Sequence, residues 1–135
     1  MKTIKMFFLL VVIIGVGRTQ IYAQNEKVKD GVYLVCEEMP EYPGGADSLR
    51  ADLVRSINYP AEASKKGIQG KVYITFVVDE KGKIDDAKVV RGVDPLLDKE
   101  ALRVVSSLNK AWTPGKEKGK PVKVSYTLPV NFALN

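Results

Sequence analysis

Residues 122–132, VKVSYTLPVNF, decide the fold. Every second residue is apolar (Val122, Val124, Tyr126, Leu128, Val130, Phe132), with Lys123, Ser125, Thr127, Pro129 and Asn131 between them. Alternation of this length predicts a single β-strand with one buried face. Pro129 has no N–H for a ladder bond, which assigns this part of the strand to a sheet edge. A long uncovered edge offers backbone donors and acceptors to any other extended chain.

Working outward, residues 71–79 alternate in the same way, with Val72, Ile74, Phe76 and Val78 on one side, and Glu80–Lys83 turns the chain. The returning strand, Ile84 to Arg91, keeps Ala87 and Val89 in phase but not Ile84, so a bulge is expected near Asp85 and Asp86. Asp94 as N-cap and Pro95 at the first helical position open a helix that buries Leu97, Ala101, Val104, Val105 and Leu108. Upstream, Leu49, Leu53 and Ile57 give a one-sided helix, which ends before Pro60. Ala61 to Lys66 makes one or two turns, closed by Gly67. A short strand is expected near Val32–Val35, after a leader read as unstructured to about Asp30 and before the turn-rich connector EEMPEYPGG. GKEKGK, residues 115–120, reads as a flexible basic turn without phosphate-loop spacing. This order predicts an α+β, two-layer domain: an antiparallel three-stranded or slightly larger sheet with two helices packed on one face.

The 135 residues allow one domain, and 45% hydrophobic with 27% charged residues is an ordinary globular balance. Of the formal net charge of +5, Lys2, Lys5 and Arg18 stand in residues 1–23, where there is no acid. The remainder is close to neutral, and no basic run is interleaved with aromatics, so nucleic acid is not an expected partner. MKTIK followed by the apolar MFFLLVVIIGVG and by Ile21-Tyr22-Ala23 has the grammar of a signal peptide cleaved after Ala23. The competing reading is an uncleaved inner-membrane anchor, but the apolar run is shorter than the roughly 20 residues a spanning helix needs. The expected division is 1–23 signal peptide, 24–45 leader with short strand and connector, and 46–135 the folded domain of an exported protein.

Candidate chemistry is sparse. There is no histidine, which removes the commonest general base and imidazole metal sites, and the single Cys36 cannot form an internal disulfide. Cys36 reads as a small buried hydrophobe in a strand. The acidic pairs Glu37/Glu38, Asp85/Asp86 and Asp94/Asp98 have the chemistry for carboxylate acid–base work, and each reads more simply as turn, strand end or cap. No catalytic residue, cofactor or metal is expected.

From Tyr59 to Phe132 the chain resembles the TonB C-terminal domain family of the Gram-negative envelope. The resemblance rests on Tyr59-Pro60, Gly67 with Gly70, the apolar run around Thr75, Asp79 to Gly82, Leu97-Asp98 with Glu100-Ala101, Trp112 with Pro114-Gly115, and Pro129-Val130-Asn131-Phe132. The upstream CEEMPEYPGGADSL resembles a segment preceding such domains in Bacteroidetes-type proteins. The family implies binding of an extended peptide, the TonB box of an outer-membrane transporter, by strand addition. Carried onto this sequence, the peptide-binding residues are Asn58, Tyr59 and Pro60 together with Lys123, Val124, Ser125, Tyr126, Thr127, Leu128 and Asn131. An energy-transducing TonB also has a membrane helix with a functional histidine and a long proline-rich linker. Here there is no histidine, and Arg18 to Asp30 spans only about 45 Å fully extended. The expectation is therefore a free-standing periplasmic module that docks without pulling. The alternative is a structural or regulatory envelope module that pairs with itself, as a homodimer through the edge strand, or with another partner.

Overall fold

The computed structural model describes residues 27–135; the expected signal peptide over 1–23 and its cleavage step lie outside the described residues. In chain order the elements are β1 (Val28–Lys29), β2 (Val32–Tyr33), α1 (Gly45–Ser56), α2 (Ala61–Lys65), β3 (Gly70–Val78), β4 (Ile84–Arg91), α3 (Pro95–Ser106), β5 (Gly115–Glu117), β6 (Lys120–Val122) and β7 (Val124–Phe132). They form a five-stranded sheet in the order β1-β2-β7-β3-β4 and a small β5–β6 hairpin.

The two alternating runs make the centre of the sheet. β3 and β7 pair antiparallel without a break from Gly70↔Phe132 to Val78↔Val124. Period-two alternation in both then sends Val72, Ile74, Phe76, Val78, Val124, Leu128, Val130 and Phe132 to one buried face. The helices cover that face. Leu97, Ala101, Val104 and Val105 of α3, Leu49 and Leu53 of α1 and Ala63 of α2 join the same core. At about 1.5–3 kcal/mol for each fully buried large side chain, this shared face is the main stabilising element. The α3 start works as expected, with Asp94 Oδ2 accepting the Leu96 N–H at 2.9 Å and Pro95 following it. The bulge is also present: the β3–β4 register shifts between Thr75↔Lys88 and Val77↔Asp85, and Asp86 sits at φ +53°.

Three expectations are corrected. The leader is structured by Val28, where β1 pairs with β2 through the Asp30-Gly31 turn. The short strand stops at Tyr33, and Cys36, although buried, lies in the bend beyond it. The C-terminal alternation is not one strand: it breaks at Lys123, and GKEKGK is a paired hairpin turning at Lys118-Gly119, both at positive φ. Lys123 occupies a polar slot of the pattern, so the break leaves no mark on the periodicity.

The connector is part of the domain. Tyr42 is buried edge-on against Trp112, with ring centroids 5.3 Å apart, and Trp112 also meets Phe76 and Tyr126. Backbone bonds tie Glu38 to Lys116 and Glu41 to Thr113 in both directions.

Candidate functional site

β7 has two flanks, and the phase of its backbone decides what each offers. The Tyr33 N–H donates to the Lys123 carbonyl at 2.8 Å, and β2 pairs with β7 in parallel at Tyr33↔Val124. In an extended strand one residue's N–H and C=O point to one side and the next residue's to the other. Lys123, Ser125, Thr127, Pro129 and Asn131 therefore face away from β3, and Val124, Tyr126, Leu128, Val130 and Phe132 face it. Pro129 falls in the outward set, so its missing N–H leaves the β3 ladder whole. The Thr75 and Thr127 hydroxyls meet at 3.0 Å, across a closely spaced pair of the kind this phase requires.

The outward flank is occupied only at its start. Parallel pairing at Tyr33↔Val124 aims the Ser125 N–H at the Tyr33 carbonyl. Beyond that point, no strand among the described residues pairs with β7 on this side. The N–H and C=O of Thr127, the C=O of Pro129 and both groups of Asn131 line the open run, and all three residues are exposed.

The strand's other predicted partners are placed as follows. Tyr59 packs edge-on against Phe132 at 5.6 Å, and its hydroxyl donates to the Ile68 carbonyl. Asn58-Tyr59-Pro60 thus stands at the far end of β7. The Asn58 N–H is committed to Glu100 Oε2 at 2.7 Å. Arg103 first, and that N–H after it, hold the Glu100 carboxyl below its ordinary range. Val124 and Leu128 are buried, and Tyr126 stacks on Phe76, so these three give the core their side chains and β3 their backbone.

Sequence reasoning missed Glu117. Its carboxylate pairs with Lys27 at 2.8 Å and accepts the Glu37 N–H at 3.0 Å, clasping the β1–β2 segment from both ends. The Lys27 bond is the main cause holding Glu117 below the usual carboxylate value. No local signal pairs a glutamate in a basic turn with a lysine far upstream.

The acidic pairs serve the backbone: Asp85 Oδ1 accepts the Asp86 N–H, and Asp98 Oδ1 accepts the Val93 N–H. Buried Asp52 accepts from Tyr42 Oη at 2.5 Å and pairs with Arg55 and Lys110, a network closed on itself. Burial, and secondarily Glu117, push the Cys36 thiol up, away from reactivity. Among the described residues no His, Cys, Asp and Glu cluster could hold a metal, and no helix is long and apolar enough to cross a membrane.

Residues 55–134 match the family model described as Gram-negative bacterial TonB protein C-terminal. The chain belongs to that family. Two solution structures of the Helicobacter pylori TonB C-terminal domain are similar in fold. One has 23% identity and a TM-score of 0.50, covering 64% of this chain and 90% of its own. The other, a longer version, has 23% identity and a TM-score of 0.47, covering 69% and 87%. No curated protein matches the chain. The TonB C-terminal domain is a non-catalytic, transport-associated family, and membership implies a TonB-like periplasmic module and dealings with outer-membrane transporters.

Proposed function

We propose that this TonB-like module binds an extended peptide, of the TonB-box kind carried by outer-membrane transporters, by strand addition to the outward flank of β7 from Thr127 to Asn131. The supporting observation is the open backbone run itself, beside a segment, β2, already hydrogen-bonded to the same flank. Backbone pairing supplies affinity and alternate side chains supply selectivity. With Val124, Tyr126 and Leu128 turned to β3 and the core, the docking set narrows to Thr127, Pro129 and Asn131. Ser125 and Lys123 stand at its covered start, and Asn58-Tyr59-Pro60 at its far end. The chain reaches this position as an exported protein, through the signal peptide read in residues 1–23.

The phase selects the test. Thr127→Pro removes the first free outward donor, adds a ring where a peptide must approach, and leaves the β3 ladder intact. We expect a TonB-box peptide titrated into the labelled protein to shift the Thr127–Asn131 amides. Thr127→Pro should abolish those shifts while circular dichroism stays native, and Ser125→Ala should change little. Shifts confined to Glu80–Lys83, with Thr127–Asn131 silent, would sink this reading. Concentration-dependent shifts on the same flank without peptide would favour the self-pairing module instead.

A further inference from the structure

The β1–β2 hairpin lies on the same backbone groups that a long incoming strand would need. The Tyr33 N–H donates to the Lys123 carbonyl and the Tyr33 carbonyl faces the Ser125 N–H, the two outward positions that precede the open run. A strand of either polarity that follows β7 along its whole length meets this hairpin. Lys27, Lys29, Asp30, Gly31, Leu34 and Val35 are all exposed, so the flap from Lys27 to Val35 buries little. Its ties are the single bridge at Tyr33 and the Lys27–Glu117 pair, in which the lysine side chain is 49% exposed. Exposed pairs of this kind hold weakly.

The base of the flap is held differently. Cys36 is buried, its thiol donates to the Glu38 carbonyl at 3.0 Å, and a Cβ on Gly115 would come within 3.1 Å of its sulfur. The reciprocal Glu38–Lys116 and Glu41–Thr113 bonds follow at once. The chain thus has a lightly tied, exposed flap hinged at a firmly buried point, and the flap covers the start of the docking edge.

We infer that the β1–β2 hairpin is an intramolecular occupant of the docking edge, which short strands leave in place and long strands must displace. This rests on the docking reading above and adds a length filter to it. A competitor that keeps the open form to about a tenth of the population weakens apparent affinity about tenfold.

The experiment uses the TonB-box segment of an outer-membrane transporter in two lengths: five residues, matching Thr127–Asn131, and nine, matching β7. Both are titrated into the exported chain and into Tyr33→Pro, which lacks the donor to Lys123. The nine-residue peptide should bind Tyr33→Pro about tenfold more tightly than the unaltered chain, with new shifts at Lys123 and Ser125. The five-residue peptide should bind both alike. If Tyr33→Pro loses its fold, Lys27→Met cuts the Glu117 tie and should move the nine-residue affinity the same way by a smaller factor. Equal affinities for the nine-residue peptide in folded variants would overturn the inference, and Thr127→Pro still abolishing binding would leave the docking reading intact. Binding of neither peptide to any variant would overturn both.

Discussion

The two sides of the central sheet treat the same hazard differently. β4 is an outer strand of charge and irregularity: Asp85, Asp86, Lys88 and Arg91 are exposed, Asp86 adopts a left-handed conformation, and the register against β3 slips twice. Bulges and charges are how sheets discourage unwanted pairing. β7 is regular over its full pairing with β3, and its outward flank carries Thr127, Pro129 and Asn131, with no charge past Lys123. The cover it has is a two-residue strand borrowed from the N-terminal segment. A bare, straight flank beside a blunted one is what the proposed strand addition requires.

Each half of that contrast can be broken, beginning with the core on which both edges stand. Phe76 is fully buried on β3, between the two, and touches Trp112 and Tyr126. Phe76→Ala should lower stability by about 3–5 kcal/mol, read in urea or thermal melts, and should loosen both edges together. A melt hardly shifted would mean that the facing assigned to β3 is wrong.

Gly82 separates the two sides. It lies at φ +82° in the β3–β4 turn, its carbonyl accepts the Trp112 N–H at 2.9 Å, and a Cβ there would run into the Trp112 backbone. Gly82→Ala should destabilise by about 1–3 kcal/mol through backbone strain. Amide exchange should rise first along β4 and least at the β7 end nearest Phe132. Uniform acceleration would show that the two flanks open as one unit.

How much of this was readable depends on how local each cause is. Alternation gave β3 and β7 because side chains two apart share a face, and Asp94-Pro95 gave the start of α3 because a cap acts within three residues. The out-of-phase Ile84 gave the bulge. The break at Lys123 was hidden because a lysine fits the polar slot whether or not the strand continues. β2 is too short for any period, and its partner lies some 90 residues away in the sequence, so neither the cover on Ser125 nor the Glu117 clasp had a local signature. The strand is therefore legible in the sequence but its phase is not: alternation does not say that the backbones of Val124, Tyr126 and Leu128 point to β3 while those of Thr127 and Asn131 point away.

Thr127→Pro sharpens the contrast with little cost to the fold. Its N–H takes no part in the β3 ladder, and Pro129 two residues on already shows that this flank accepts the ring. Stability should change by less than about 1 kcal/mol, while peptide binding is lost. Loss of the native circular dichroism in this variant would place the Thr127 amide on the β3 side and reverse the outward set.

The smallest effect concerns the cover alone, and acid should reveal it. Glu117 is held below its ordinary value of 4.5, chiefly by Lys27, with the Glu37 N–H adding to this, and Lys27 is correspondingly raised. A depressed carboxyl contributes its stability above the unfolded value and loses it as pH falls through the lower, folded one. The raised lysine contributes below its unfolded value of 10.5 and loses that contribution as pH climbs through the folded one. The clasp is therefore whole from about pH 5 to about pH 10 and opens at either end. Below pH 4.5 the amides of Leu34 and Glu37 should shift and exchange faster, while those of Ile74 and Leu128, deep in the β3–β7 pairing, stay fixed. Glu117→Gln should remove the acid transition at these amides, because the Lys27 ion pair is then absent at every pH. If the transition survives in that variant, another carboxyl drives it, and Glu117 is only a neighbour.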